Sequence, residues 1–332
     1  MQGLQTQKPS ELTFSRFMPA ILLTVLVFIG LVLLGDVRQV RALVFAFDWR
    51  FFAIALGFTL FNYVLRFFKW HFYVRLLGIT DLALTDSASL FIGGFPLAVT
   101  PGKVGEVLKA VWLRQKTALP LARGVSVVVA ERLSDGLAVL GLSTLGVITF
   151  PAYWPAFAAV LALLLGFVII TQSQPLATWL LQRLEALPVV GRASESLREF
   201  YLGSHVLFKP RALFLAVSLG MLSWLGEGIG FFFILRGLGL PPDTSLAALA
   251  VFILSFSTII GALTALPGGL GAIEASIAGM LALLGGIQPA VTATATILIR
   301  LATLWFGVAL GLLVWVLKPA IVGLRRSDGL VN

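Results

Sequence analysis

Residues 95–115 read FPLAVTPGKVGEVLKAVWLRQ, and there Lys103, Glu106, Lys109 and Arg114 follow a Pro101-Gly102 break. At about 100° per residue these four side chains fall within an arc of roughly 140° on a helix. A helix starting at such a break points free backbone N–H groups, and the positive end of its dipole, at the break. A helix start beside a basic stripe suits an anionic group such as phosphate. Lys103 and Lys109 are the candidates for that contact. Arg114 and Lys116 fit the excess of basic residues found in cytoplasmic loops, and a loop helix obeying that rule is the competing explanation of the whole stripe.

A second break has the same form. Thr100 precedes Pro101-Gly102-Lys103-Val104-Gly105 with Glu106 next, and further on Pro267-Gly268-Gly269-Leu270-Gly271 is followed by Glu274. Both read Pro-Gly-x-(Val/Leu)-Gly inside apolar segments, 85–118 and 245–285. Gly/Pro-interrupted segments at corresponding places in two halves of opposite topology mark an inverted repeat, with the substrate between the broken helices. Irregular backbone at membrane depth must be buried in protein or face a wet cavity. Two plainer explanations compete. With 33 glycines a repeated Pro-Gly can be coincidence, and each segment can be a simple helix pair with a tight loop.

Further charges stand inside apolar runs. Glu131, Arg132 and Asp135 lie in VVVAERLSDGLAV, Glu227 in SWLGEGIGFFF and Arg300 in TATATILIRLATLWF. A charge at mid-bilayer costs roughly 2.5–3.5 kcal/mol on the lenient insertion scale. These groups are expected to meet in the interior, the acids neutralising Arg132, Arg300 and the lysines of the first broken segment. They form either a structural ion-pair network or the lining of a polar cavity. Protonation of Glu131 or Glu274 would allow coupling to a proton gradient.

The elements that must position these residues are apolar helices. Of 332 residues 59% are hydrophobic and 12% charged, and several runs reach the length of a membrane span. The fold class is an all-α polytopic membrane bundle; the short alternating segments of a β-barrel are absent. Full spans are expected near 17–35, 50–70, 120–148, 155–171, 211–236 and 290–317, making about six with the two broken hairpins added. The chain reads as a single transmembrane domain, 1–332. Its first half is 17–171, an interfacial amphipathic segment covers 175–208, and its second half is 211–317. Arg66, Lys69, Trp70, Tyr73 and Arg75 read as an aromatic and basic interfacial edge.

Basic residues cluster before the first span, after the second, across 172–211 and in the tail, which places both termini in the cytoplasm of a cell-membrane protein. Arg38, Arg41 and Arg50, set against Asp36 and Asp48, resist that orientation. The net charge of +9 is explained by such loops and by anionic lipid, without nucleic acid. The first apolar run has no small-residue cleavage site and is expected to be a retained helix.

Chemistry by cysteine is excluded, since there is none, and His71 and His205 have no ligand-like spacing. No phosphate-binding Gly-rich loop, nucleophile motif or metal pair is present; Arg132 beside Glu131 and Asp135 argues against a divalent ion there. No catalytic residue, metal or cofactor is expected.

TPGKVGEVLKA, ERLSDG and LPGGLGAIE, set in an apolar chain, resemble the transmembrane region of lysylphosphatidylglycerol synthase and its stand-alone flippase-like relatives, over about 15–317. The resemblance implies movement of lipids between leaflets: aminoacylated phosphatidylglycerol, other phospholipids or polyprenyl-linked carriers. It implies that Thr100, Pro101, Gly102, Lys103, Gly105 and Glu106 line the headgroup site with the second break and the helix bearing Glu131. The sequence ends soon after the last predicted helix, so lysine transfer from tRNA is not expected. The substrate-binding set is thus Thr100, Pro101, Gly102, Lys103, Gly105, Glu106, Lys109, Glu131, Arg132, Asp135, Glu227, Pro267, Gly268, Gly269, Gly271, Glu274 and Arg300.

The expected function is translocation of an anionic or zwitterionic lipid, with membrane lipids as partners and a homo-oligomer or a lipid-synthesis enzyme as a compatible protein partner. The alternatives are an enzyme acting on a lipid phosphate, a transporter of a small soluble anion, and a subunit with no activity alone.

Overall fold

The computed structural model describes residues 11–149, 154–185 and 194–320, and these are helical with no strand among them. Helices α1 (Glu11–Leu34) and α2 (Val37–Ala46) meet at a bend of 98°. The spacing of the expected spans, 17–35 and 50–70, makes the stretch between them a loop. It is instead a short amphipathic helix, begun by Asp36, whose carboxylate accepts the Arg38 N–H at 2.8 Å. Such an Asp cap satisfies a donor that the first turn leaves open.

The long helix α3 (Trp49–Leu76) is followed by α4 (Leu84–Gly93), tight turns over Phe95–Val99 and Pro101–Glu106, and α5 (Val107–Lys116). Next come α6 (Leu121–Thr149) and α7 (Trp154–Gln172), then α8 (Gln174–Glu185) after a bend of 94°, and α9 (Ser194–Leu207). The second half holds α10 (Pro210–Gly237), α11 (Thr244–Leu263), a turn at Pro267–Gly269, α12 (Ala272–Gly285) and α13 (Pro289–Arg300). A single π turn, Leu301–Trp305, joins α13 to α14 (Phe306–Leu317).

Among the described residues five helices are long and apolar enough to cross a membrane, and up to seven cross if each bent pair is one span. This is a multi-pass integral membrane protein. Pro267–Gly285, the later half of the second broken segment, is 19 residues long and apolar enough overall to be one of the five.

The most extensive helix contact is between α3 and α10. On α3 the positions Ala55, Thr59, Asn62, Arg66, Lys69 and Tyr73 alternate steps of four and three, forming one seam. On α10 the seam is met by Gly220 and Gly230: a Cβ would sit 3.7 Å from Lys69 Nζ at the first and 3.4 Å from the Ala55 carbonyl oxygen at the second. Small residues let polar helices approach in a setting where water does not drive them together.

This seam corrects the reading of α3. Lys69, Trp70 and Tyr73 are fully buried and Arg66 is mostly so; they are interior groups, not an interfacial edge. The physical reason is length: α3 continues to Leu76, which moves Arg66 and Lys69 well inside the helix.

One apolar cluster centres on α3–α6, with Trp70, Phe91, Leu113 and Val127, and α9 adds Leu207 to it. Another centres on α10–α13, with Phe231, Phe252, Ile277 and Leu298. Gly228 joins α10 to α11, since a Cβ there would lie 2.9 Å from the Val251 Cα. Gly228→Val is therefore expected to lower stability by about 1–3 kcal/mol through overpacking. A lower unfolding temperature in detergent checks this; an unchanged one would mean that α10 and α11 do not pack so closely.

Candidate functional site

The two Pro-Gly breaks, remote in sequence, pack against each other in the middle of the bundle. Gly268 makes this approach possible. Its φ of 61° is left-handed, and a Cβ there would come within 3.3 Å of Val99 and 3.4 Å of Leu304. On the other side Thr100 closes its own turn: Oγ1 accepts the Gly105 N–H at 2.9 Å and donates to the Leu97 carbonyl at 2.6 Å. Gly105 must be glycine, because a Cβ would lie 2.6 Å from the Thr100 methyl.

Each break holds an acid that grips an arginine 26 residues later. Glu106 receives both ends of the Arg132 guanidinium, at 2.7 and 2.5 Å. Glu274 receives Arg300 Nε at 2.5 Å, and Arg300 Nη2 donates to the Gly268 carbonyl at 2.9 Å. The other Glu274 oxygen accepts the Gly271 N–H at 2.6 Å, capping α12. Two-pronged arginine–carboxylate bonds fix geometry as well as charge. Such a pair ties Glu106 to α6, and Arg300, bonded once to Glu274 and once to the Gly268 carbonyl, ties the second break to α13.

The remaining buried charges pair across helices. Lys109 Nζ is 2.5 Å from Glu131 Oε2. Asp135 takes two cations from α3, Lys69 in a short hydrogen bond and Arg66 at 3.1 Å. Burying an ion costs several kcal/mol, which partners of good geometry must offset. Glu131 and Asp135, four residues apart on α6, thus serve different neighbours, α5 and α3.

Between the breaks lies a cavity of about 140 Å³ lined by Arg66, Lys109, Arg132, Arg300, Glu106 and Glu227, with Tyr63, Phe95, Trp224, Thr258 and Gly268. That is room for several waters or one phosphate-sized group. Two donors on its lining residues, Arg66 Nε and Trp224 Nε1, are buried without a hydrogen-bond partner.

Of the sequence candidates, Glu106, Lys109, Arg132, Glu227, Gly268 and Arg300 line this cavity. Glu131, Asp135 and Glu274 stand behind it as ion-pair partners. Thr100, Gly105, Pro267, Gly269 and Gly271 shape the turns. The side chains of Pro101 and Lys103, and the surroundings of Gly102, lie outside what the structure describes. Arg114 is exposed, because it lies five residues and about 140° on from Lys109 in α5, while Glu106 and Lys109 are buried.

Arg66, Lys69, Tyr63 and Trp224 were missed as site residues. The signal was available in the four-three spacing of the α3 seam, which places Arg66 and Lys69 on the same stripe as Thr59 and Asn62.

The family described as the lysylphosphatidylglycerol synthase TM region matches residues 21–311. The chain belongs to that family. It is also similar to two UPF0104 membrane proteins of Methanothermobacter thermautotrophicus. One is 27% identical over 312 residues, covering 87% of this chain and 90% of the relative. The other is 27% identical over 235 residues, covering 62% of this chain and 67% of the relative. The match spans both breaks, α6, α10 and α13, and so the whole cavity.

Proposed function

We propose that the protein moves a phosphate-bearing lipid between leaflets, the headgroup passing through the cavity between the two breaks while the tails stay in the bilayer. One observation carries the reading. The cavity gathers four cationic side chains, and donors of two of its lining residues, Arg66 Nε and Trp224 Nε1, lack an acceptor. A buried donor without a partner costs about 1–3 kcal/mol, and phosphate oxygens would satisfy both. Membership in a family named for a lipid-synthesising enzyme's membrane region supports a lipid as the bearer of that phosphate.

The two halves are then inverted repeats with re-entrant breaks, α3–α6 matching α10–α13. Support comes from the 26-residue spacing of both Glu–Arg pairs and from α3 and α10, each 28 residues long. Both termini lie in the cytoplasm, and the membrane is the cell membrane. The site transports and does not catalyse.

Liposomes holding the purified protein and a trace of fluorescent phosphatidylglycerol test this. A membrane-impermeant quencher should reach inner-leaflet label faster than in protein-free vesicles. Unchanged leaflet exchange sinks the reading; chemically altered lipid would favour an enzyme, and uptake of free phosphate a soluble-anion transporter. In the same assay Gly268→Leu should abolish most exchange. A side chain at left-handed φ costs about 1–2 kcal/mol, and this one would also press on Val99 from the first break. Normal exchange by this variant would mean that the breaks are ordinary loops.

A further inference from the structure

Glu227 stands apart from the other acids around the cavity. It is 6% exposed and lines the cavity, yet among the described residues no hydrogen bond or ion pair within 4.0 Å reaches its carboxylate. Glu106, Glu131, Asp135 and Glu274 all have cations in contact.

We propose that Glu227 takes up a proton when a phosphate-bearing group enters the cavity, so that binding of the anion is linked to pH. The inference rests on the headgroup reading and adds its regulation.

The charge balance carries it. Five cations surround the cavity, Arg66, Lys69, Lys109, Arg132 and Arg300, against four paired acids and Glu227. With Glu227 ionised and the cavity empty the cluster is neutral. A phosphodiester monoanion entering then leaves a net charge of minus one in a poorly solvated site. A proton added to the Glu227 carboxylate restores neutrality. One O–H bond forms on the carboxylate as one bond to hydrogen breaks in hydronium or a buffer acid, whose conjugate base stays in solution, and no oxidation state changes. It reverses when the anion leaves.

The charged and titratable groups around Glu227 come from several elements. From α3, Tyr63 and Arg66 face the cavity; from α13, Arg300; from the first break and α5, Glu106 and Lys109. From α6, Arg132 lines it and Asp135 stands behind Arg66. The lining residues of α11, Leu254 and Thr258, are uncharged. Trp224, with its unpartnered Nε1, lies three residues before Glu227, so an anion held there sits beside the carboxylate. Like charges so placed disfavour joint ionisation.

The probe is dihexanoyl phosphatidylglycerol added to the full chain in detergent, with heats measured across a pH series in two buffers of different ionisation enthalpy. The wild type should take up one proton per lipid bound, and affinity should fall about tenfold per pH unit above the transition. Glu227→Gln should bind with an affinity that no longer changes with pH, and Glu227→Asp should keep the linkage. A flat wild-type profile, or a Glu227→Gln protein that keeps the slope, overturns the proposal. If Glu227→Gln does not fold, infrared spectra of the wild type decide. A carboxylic C=O band rising on lipid addition, and shifted in Glu227→Asp, supports the proposal; its absence refutes it. Inorganic phosphate is the second probe. Proton-linked binding of phosphate alone would keep the linkage and sink the lipid reading, whereas binding of neither probe overturns both.

Discussion

Replacing Arg300 with methionine is expected to cost the fold about 3–5 kcal/mol, the penalty for leaving a buried charge without its partner. Arg300 is 6% exposed and Glu274 fully buried, with the guanidinium 2.5 Å from the carboxylate. The same guanidinium donates to the Gly268 carbonyl at 2.9 Å. Without it Glu274 loses its counter-ion, keeping only the Gly271 N–H, and the Gly268 carbonyl loses this donor. The backbone just after Arg300 is already irregular: a π turn covers Leu301–Trp305, and Tyr63 donates to the Thr303 carbonyl at 2.6 Å. Wide turns of this kind concentrate at functional positions. The double variant Arg300→Met with Glu274→Gln should recover part of the loss, because the amide oxygen can still accept the Gly271 N–H while the stranded charge is gone. Unfolding in detergent reads both. An Arg300→Met protein as stable as the wild type would mean that Glu274 is neutral in the fold.

Much of this site was legible because its chemistry is local. Pro and Gly announce the breaks, and a charge in an apolar run announces an interior partner. Glu131, Arg132 and Asp135 had to be interior on cost alone. Which partner each acid takes was not legible. Contact between Val99 and Gly268 joins residues far apart in the chain, and no periodicity encodes it. Arg66 and Lys69 were misread for a related reason. Their run of aromatic and basic neighbours resembles an interfacial belt, and only the extension of α3 to Leu76 puts them inside. Helix α2 escaped because ten residues with Arg38 and Arg41 carry too little apolar surface to stand out from a loop.

Lys109 and Lys116 stand on one helix and separate charge used for topology from charge used for the site. Lys109 is 4% exposed, 2.5 Å from Glu131 and 4.7 Å from the centre of the Trp70 ring. Its stem passes Gly94 so closely that a Cβ there would lie 2.5 Å from Cδ. Lys116 has a side chain 40% exposed and meets Asp86 at 3.4 Å. Lys109→Gln should therefore cost about 3–5 kcal/mol, since it strands Glu131, while Lys116→Gln should cost about 0–1 kcal/mol. The basic excess that orients a membrane protein counts both lysines alike, so topology alone predicts no such contrast. Stability and binding come apart in the double variant Lys109→Gln with Glu131→Gln, which removes both buried charges. It should regain stability but not phosphatidylglycerol affinity, because a charge-assisted contact worth about 1.5–3 kcal/mol, roughly 10- to 150-fold in affinity, is missing from the cavity. A double variant that folds and binds this lipid as tightly as the Lys116→Gln protein would leave Lys109 a structural ion and move the headgroup elsewhere.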